Sequence, residues 1–393
     1  MSLDDRKWTW GLVGLLTVFA LATGCGAPLP PLPSTRSANA AVRVAILTPM
    51  TGELATFGET VRNGITLAFD EWNDRGGVGG RPIAWLLEDT RCDPLEARRA
   101  AERVIAEQGV RFVVGGLCSE EAIPIARVAE ERGALFIATT ATHPLVTMDD
   151  TGTTRPTVFR AAFAYPYQGR AAARLALDRL NARRAAVLIN PADDFVRSLA
   201  DEFVATFVAG GGQVVGTGTY ASRDADFDAT VAEVARAKPD VLYVPDAYPV
   251  ANRVGDVVRA QGLRLTLIGC DLWDSGALDL NALGGDYFTL HYSRETPDPR
   301  AGAWAKRYLS AFALEPDTLA ALGYDAADLL ASAMARAGEG SLAPNDVART
   351  LEAMEFEGVT GRWRFDRQHN PVKPVVVVQV KDGGVVFYDV VRP

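Results

Sequence analysis

From residue 42 onward the hydrophobic positions alternate between two periods. Short β-branched runs, "VRVAILTP" and "PIAWLLED", read as buried strands. Between them, "ATFGETVRNGITLAFDEWNDRGG" spaces Val61, Ile65, Leu67, Ala68 and Trp72 along one helix face and stops on Gly76–Gly77. "DPLEARRAAERVIAEQG" predicts a helix opened by Asp93 with Pro94 in its first position. "VRFVVGG" and "ALFIATTA" predict two more strands. They flank the helix "SEEAIPIARVAEERG", where Pro124 predicts a shortened or kinked start. After "TVFRAAFAYPYQ" the alternation resumes. Strands fall at "AAVLIN", "QVVGTGTY", "DVLYVPDA" and "LTLIGCD", with helices between them. Repeated βα units predict the α/β class, with open parallel sheets covered by helices on both faces. Two such runs predict two similar domains rather than one eight-stranded barrel. A long helical section follows from 301, then β-rich segments in which "KDGG" predicts a hairpin turn.

The first forty residues follow another pattern. Residues 8–22, "WTWGLVGLLTVFALA", are apolar but short for a membrane span and fit the core of a secretory signal. Asp4 and Asp5 offset Arg6 and Lys7 ahead of it, a departure from the usual positive start. "LATGC" resembles a bacterial lipobox, with Ala22 where leucine is usual, and implies lipidation of Cys25. Residues 1–24 are then a signal peptide. The Pro-rich stretch 25–41 is an extended tether, too poor in large apolar residues to build a core.

A chain of 393 residues is long for one core. Its net charge of −9 and lack of a basic patch exclude a nucleic-acid partner. With Cys25 assigned to lipid, Cys92, Cys118 and Cys270 remain, and outside the cytoplasm two of them could pair. The three histidines are scattered and no C-x-x-C exists, so neither a metal nor a cofactor is expected.

"GGLCSEEAIP" at 115–124 sits at a strand end and a helix start, where free N–H groups and the helix dipole favour an anion. Ser119 or Cys118 as a nucleophile would need a base and an orienting group. Only His143 is near in sequence, and no G-x-S-x-G elbow is present. A phosphate cradle would need a lysine that this loop lacks. The plainest alternative makes Ser119 a helix cap.

"LTPMTGELATFGETVRNGITLAFDEWNDRGGVGGRPIAWLLEDTRCDP" resembles the solute-binding proteins of branched-chain amino acid ABC transporters, which are type I periplasmic binding proteins. The shared features are Thr51-Gly52, Gly58, Gly64, the 73–77 turn, Gly80, Asp89 and Cys92. They continue through "GGLCSEE", "ATTATHP", "PDVLYVPDAYP" and "GRWRFD". The resemblance implies two Rossmann-like βα lobes joined by a three-crossover hinge. Lobe 1 is expected from 42–160 plus 292–345, and lobe 2 from 161–291 plus 346–393. It also implies a Cys92–Cys118 disulfide, with Cys270 a buried free thiol.

The same resemblance implies a ligand site. Ser119 would bind a ligand carboxylate, the Thr140 carbonyl an ammonium, and Thr142 would add a hydroxyl and an N–H. Asp271, where the family more often has Glu, would balance the ammonium, with Asp246 a rival at another strand exit. For both acids, and for the threonines, helix capping is the alternative. Phe57, Phe195, Tyr248 and Trp273 are expected to wall the cleft. Phe57 and Phe195 stand where these receptors usually carry tyrosine, and Ala247 replaces another tyrosine. These changes point toward a larger aliphatic or an aromatic amino acid as readily as toward leucine, isoleucine or valine. The expected partners are a small amphipathic ligand, an ABC permease, and a membrane reached only through the N-terminal lipid. A sensor for amides or small carboxylates is the alternative function. An enzyme is disfavoured by the lack of an acid–base constellation.

Overall fold

The computed structural model describes residues 41–338 and 342–392. The expected signal peptide, Cys25 and the tether as far as residue 40 lie outside the described residues.

Five parallel strands form the first sheet in the order β2-β1-β3-β4-β5. They are β1 (Val42–Thr48), β2 (Ile83–Asp89), β3 (Phe112–Gly115), β4 (Leu135–Ala138) and β5 (Val158–Arg160). Helices α1 (Ala55–Asp74), α2 (Pro94–Glu102) and α3 (Ser119–Glu131) connect them. β1, β3 and β4 are almost wholly buried, as expected for parallel strands covered on both faces. Asp93 caps α2 by accepting from the Leu95 and Glu96 N–H groups, with Pro94 in the first position as the sequence predicts. α3 is continuous with Pro124 inside it, not shortened.

The second sheet is seven-stranded: β7-β6-β8-β9-β10-β14-β15. Its parallel part comprises β6 (Arg184–Ile189), β7 (Gln213–Thr219), β8 (Val241–Tyr243), β9 (Thr266–Gly269) and β10 (Tyr287–Leu290). Helices α4 (Tyr165–Arg174), α5 (Asp194–Ala209), α6 (Asp228–Arg236) and α7 (Tyr248–Ala260) belong to it. β14 (Val375–Lys381) adds antiparallel to β10 and turns through Asp382–Gly383 into β15 (Gly384–Val391). Both turn residues have positive φ, as a two-residue hairpin requires, and this is the hairpin predicted at "KDGG".

Counted from its own first strand, each parallel sheet has the order 2-1-3-4-5. Strand order reverses between strands one and three, and open α/β sheets bind ligands outside the carboxyl ends at that point. In the first lobe the reversal exposes the β1 and β3 exits, which carry Phe57 and Ser119. In the second it exposes the β6 and β8 exits, which carry Phe195 and the 246–248 turn.

The C-terminal part departs from expectation only after residue 345. Helices α8 (Pro299–Phe312), α9 (Thr318–Ala337) and α10 (Pro344–Ala353) join the first lobe. So does a small antiparallel sheet of β11 (Phe356–Gly358), β12 (Gly361–Phe365) and β13 (Pro371–Val372). Val347, Leu351, Phe356, Trp363 and Phe365 share one core with β1 and α1, whereas residues 346–365 were expected in lobe 2. The physical reason is aromatic. Phe365 and His369 pack on Phe159 of β5, with ring centroids at 4.9 and 4.0 Å.

The chain changes core three times: between Ala162 and Phe163, between Leu290 and Tyr292, and between Phe365 and Val375. All three crossovers meet at the Phe163 ring. His291 of the second stacks on it at 3.6 Å, and the Lys373 ammonium of the third lies 5.8 Å from its centroid. Lys373 is buried and donates to the Ala161 carbonyl (2.9 Å) and the Thr360 hydroxyl (3.0 Å). Thr360 in turn donates to the buried carboxylate of Asp325 on α9 (2.5 Å). Burial pushes the lysine down and the aspartate up, and the opposite charge of each partly offsets the shift of the other.

Candidate functional site

The first wall is built from the exits of β3 and β4. At Gly115, φ is +146° and a Cβ would stand 1.9 Å from the Leu47 carbonyl, so the strand end tolerates only glycine. This close approach folds the 116–118 loop over β1 and starts α3 at Ser119. Ser119 is half-buried, and its Oγ accepts the His143 N–H at 3.2 Å. Cys118, not Ser119, occupies the cap position, so the capping alternative for Ser119 is set aside. Thr140 Oγ1 donates to the Leu117 carbonyl (2.6 Å), tying the two loops together. Thr142 is half-buried, and its carbonyl accepts the Tyr165 N–H at 3.2 Å. The cap of the following turn is His143 Nδ1, which leaves Thr142 free of that role.

Two buried groups that sequence reasoning passed over, Glu121 and Arg160, hold this wall together with the disulfide the resemblance implies. Glu121 accepts from the Leu117 N–H (2.5 Å) and from the Thr90 hydroxyl, and burial pushes its carboxyl up to about 7. Cys92 and Cys118 form a disulfide across the same loops, with Cα atoms 6.1 Å apart. Arg160, fully buried, donates to the Ala141 carbonyl (3.3 Å) and the Thr147 hydroxyl (3.0 Å). Burial lowers its guanidinium to about 9. The only sequence signal for Arg160 was a single charge closing the apolar strand "TVFR".

The second wall separates the two candidate acids. Asp246 is fully buried and already satisfied by Tyr220 OH (2.5 Å), Arg223 Nε (2.8 Å) and the Ala247 N–H (2.6 Å). Asp271 follows β9 and stays partly exposed. Its Oδ2 lies 3.4 Å from His291 Nε2, and its Oδ1 has no partner among the described groups. Cys270, not Asp271, precedes the turn as its cap, so the capping alternative fails here too. Of the two acids, only Asp271 has a carboxylate oxygen without a partner. Three residues on, Asp274 meets the Asp317–Thr318 start of α9 from the first lobe, although the residue keeps an exposed surface. Desolvation and the nearby Asp317 and Asp271 charges raise it to about 6.

The four expected aromatics divide. Phe195 on α5 packs edge-on to Tyr165 at 5.6 Å, and Tyr165 packs edge-on to His143 at 5.8 Å. This ladder joins the Thr142–His143 loop to the second lobe. Phe57 is 48% exposed on the first turn of α1. Tyr248 is half-buried against the second-lobe core. Trp273 is a correction, because its indole is fully buried in that core beside Phe288 and walls no cleft. Gly269 makes the space, since a Cβ there would lie 2.1 Å from the indole.

Neither nucleophile candidate, Ser119 or Cys118, is activated among the described residues. Ser119 Oγ faces a main-chain N–H, and His143 Nδ1 is engaged by the Leu145 N–H, so no base addresses the hydroxyl. Cys118 is consumed by the disulfide, and Cys270 is a buried thiol that burial raises well above its ordinary range.

Two βα lobes with polar groups at the carboxyl edges of both sheets present the place where open α/β sheets take up ligands. The profile of the family described as periplasmic binding protein matches residues 41–384, and the chain belongs to that family. It is 31% identical over 308 residues to the Leu/Ile/Val-binding protein BraC3 of Rhizobium johnstonii, covering 77% of this chain and 81% of that one. Among solved structures it superposes on a leucine-binding protein, LivK, of Thermotoga maritima (TM-score 0.73, 32% identity, 90% and 99% coverage). It also superposes on an R. palustris ABC-transporter solute-binding protein in complex with benzoate (TM-score 0.70, 26% identity, 90% and 97% coverage). No described helix is long and apolar enough to cross a membrane.

Proposed function

We propose that this chain is the extracytoplasmic receptor of an ABC importer, tethered by lipid at Cys25, and that its ligand is an α-amino acid with an apolar side chain. The observation that carries this reading is the unsatisfied carboxylate of Asp271 in the second lobe, paired with the half-buried Ser119 at the start of α3 in the first. A zwitterion supplies a cation for one and an anion for the other, and such charge-assisted bonds are the strong ones. Thr140 and Thr142 offer main-chain and hydroxyl groups between them. Phe57, Phe195 and Tyr248 supply apolar cover. Ligand-driven closure hands the loaded receptor to a permease. Closure follows because the closed form alone lets both lobes touch one ligand.

A receptor for carboxylates lacking an amine is the second reading. It is favoured by the His143–Tyr165–Phe195 ring ladder, which suits an aromatic ligand. A thermal-shift panel of aliphatic and aromatic amino acids, amides and aromatic carboxylates tests the choice. A ligand at about a hundred times its dissociation constant adds roughly 2.7 kcal/mol. Amino-acid hits lost in both Asp271→Ala and Ser119→Ala support the first reading. Hits confined to amine-free carboxylates replace it with the second.

A further inference from the structure

We propose that His291 is a positioning residue that sets the preference of the cleft for a ligand carrying an amine, by holding Asp271 in place without neutralising it. The inference rests on the amino-acid reading above and names the residue that makes it selective.

His291 directly follows β10 and is 2% exposed. Its ring stacks on Phe163 with centroids 3.6 Å apart and planes at 19°. The imidazole is thereby fixed in orientation, and its Nε2 stands 3.4 Å from Asp271 Oδ2. That distance is long for an N–H···O bond, as contacts in ligand-free sites commonly are. The main chain of Asp271 is held from the same direction. Its N–H donates to Gln168 Oε1 (3.2 Å), which also accepts from Thr289 Oγ1 of β10 (2.9 Å). Both the backbone and the side chain of the acid are therefore referenced to β10 and the second crossover.

The choice of histidine matters electrostatically. Burial pushes this imidazole down to about 4, and the Lys373 charge adds to the effect, so it is neutral at pH 7. A neutral ring donates one N–H and leaves the carboxylate its full charge. A lysine or arginine at this place would cancel the charge that attracts an ammonium. An aliphatic residue would leave the carboxylate free to turn away. A neutral donor alone does both jobs.

The test compares wild type, His291→Leu and His291→Asn by titration calorimetry against two matched pairs. These are leucine with 4-methylpentanoate, and phenylalanine with 3-phenylpropanoate, and each pair differs only in the amine. Wild type should prefer the amino acid of at least one pair. His291→Leu should lose that preference by tenfold or more, with the affinity for the amine-free partner changed less than threefold. His291→Asn, which keeps a donor, should retain most of it and covers the case in which the leucine variant fails to fold. An equal loss for both members of a pair, or an unchanged ratio, overturns the role of His291 while leaving the amino-acid reading intact. Wild type that binds neither amino acid, or favours the amine-free partners, overturns both.

Discussion

Replacing Lys373 by methionine probes the junction of the three crossovers. The side chains are similar in length, so packing against Phe163 and Trp363 is largely kept. What is lost is a buried ammonium with bonds to Ala161 O and Thr360 Oγ1, and through Thr360 its link to Asp325. Breaking a buried charge pair from one side costs about 3–5 kcal/mol. Asp325 keeps the Val359 and Thr360 N–H groups and the Thr360 hydroxyl, which places the cost near the lower end, about 3 kcal/mol. At ~2.1 cal/mol/K per residue over the roughly 350 described residues, that lowers Tm by about 4 °C. Urea unfolding should show the same loss as a lower midpoint with an unchanged slope. The loss should also shrink as the pH falls from 7 to 5. Asp325 has its folded pKa raised by burial, and without its cation it rises further. The folded variant then binds a proton that the unfolded chain does not, and is stabilised by acid. Adding Asp325→Asn should cost less than the sum of the single changes, because one pair is broken only once. A methionine variant within 1 kcal/mol of wild type, or a strictly additive double variant, would refute the reasoning.

Other consequences can be checked with the same material. The Cys92–Cys118 bond closes a loop with a sequence separation of 26, so the paired serine variant should lose about 3.5 kcal/mol in urea unfolding at 25 °C. Asp271→Asn should weaken amino-acid binding by about 10–100-fold in calorimetry with little change in Tm, in keeping with about 1.5–3 kcal/mol for a charged hydrogen bond. Asp246→Asn should instead lower Tm, because its partners Tyr220 and Arg223 lose a buried acceptor. Glu121 and Asp286 have folded pKa values raised by burial to about 7 and about 8, so they favour folding at acid pH and lose that effect as the pH rises through those values. Glu121→Gln should therefore flatten the fall in stability between pH 5 and 8, by roughly 2–3 kcal/mol, as read from urea midpoints.

Much of the scaffold was legible because its signals are local. The βα alternation, the Asp93–Pro94 helix start and the "KDGG" hairpin each depend on a few neighbouring residues, and each is present as read. Trp273 and residues 346–365 were misread because their fate depends on distant partners. Trp273 is inward because Gly269 lacks a side chain and Phe288 lies beside it. The 346–365 segment joins the first lobe because Phe365 and His369 find Phe159, which is about two hundred residues away in the chain. Asp271 was expected to balance the ammonium, with Asp246 a rival acid at another strand exit. Only the fold reveals that Tyr220 and Arg223 occupy one and leave the other open. Arg160, Gln168 and His291 carried no motif, because their roles come from the carbonyls, rings and carboxylates that the crossovers bring to them.

The most direct test of the central claim is calorimetric titration of residues 26–393 with leucine and with phenylalanine, each beside its amine-free analogue. The account predicts saturable binding of at least one amino acid, stronger than that of its analogue by tenfold or more and abolished by Asp271→Ala. Equal or tighter binding of the analogues, or amino-acid binding that survives the loss of Asp271, would contradict it.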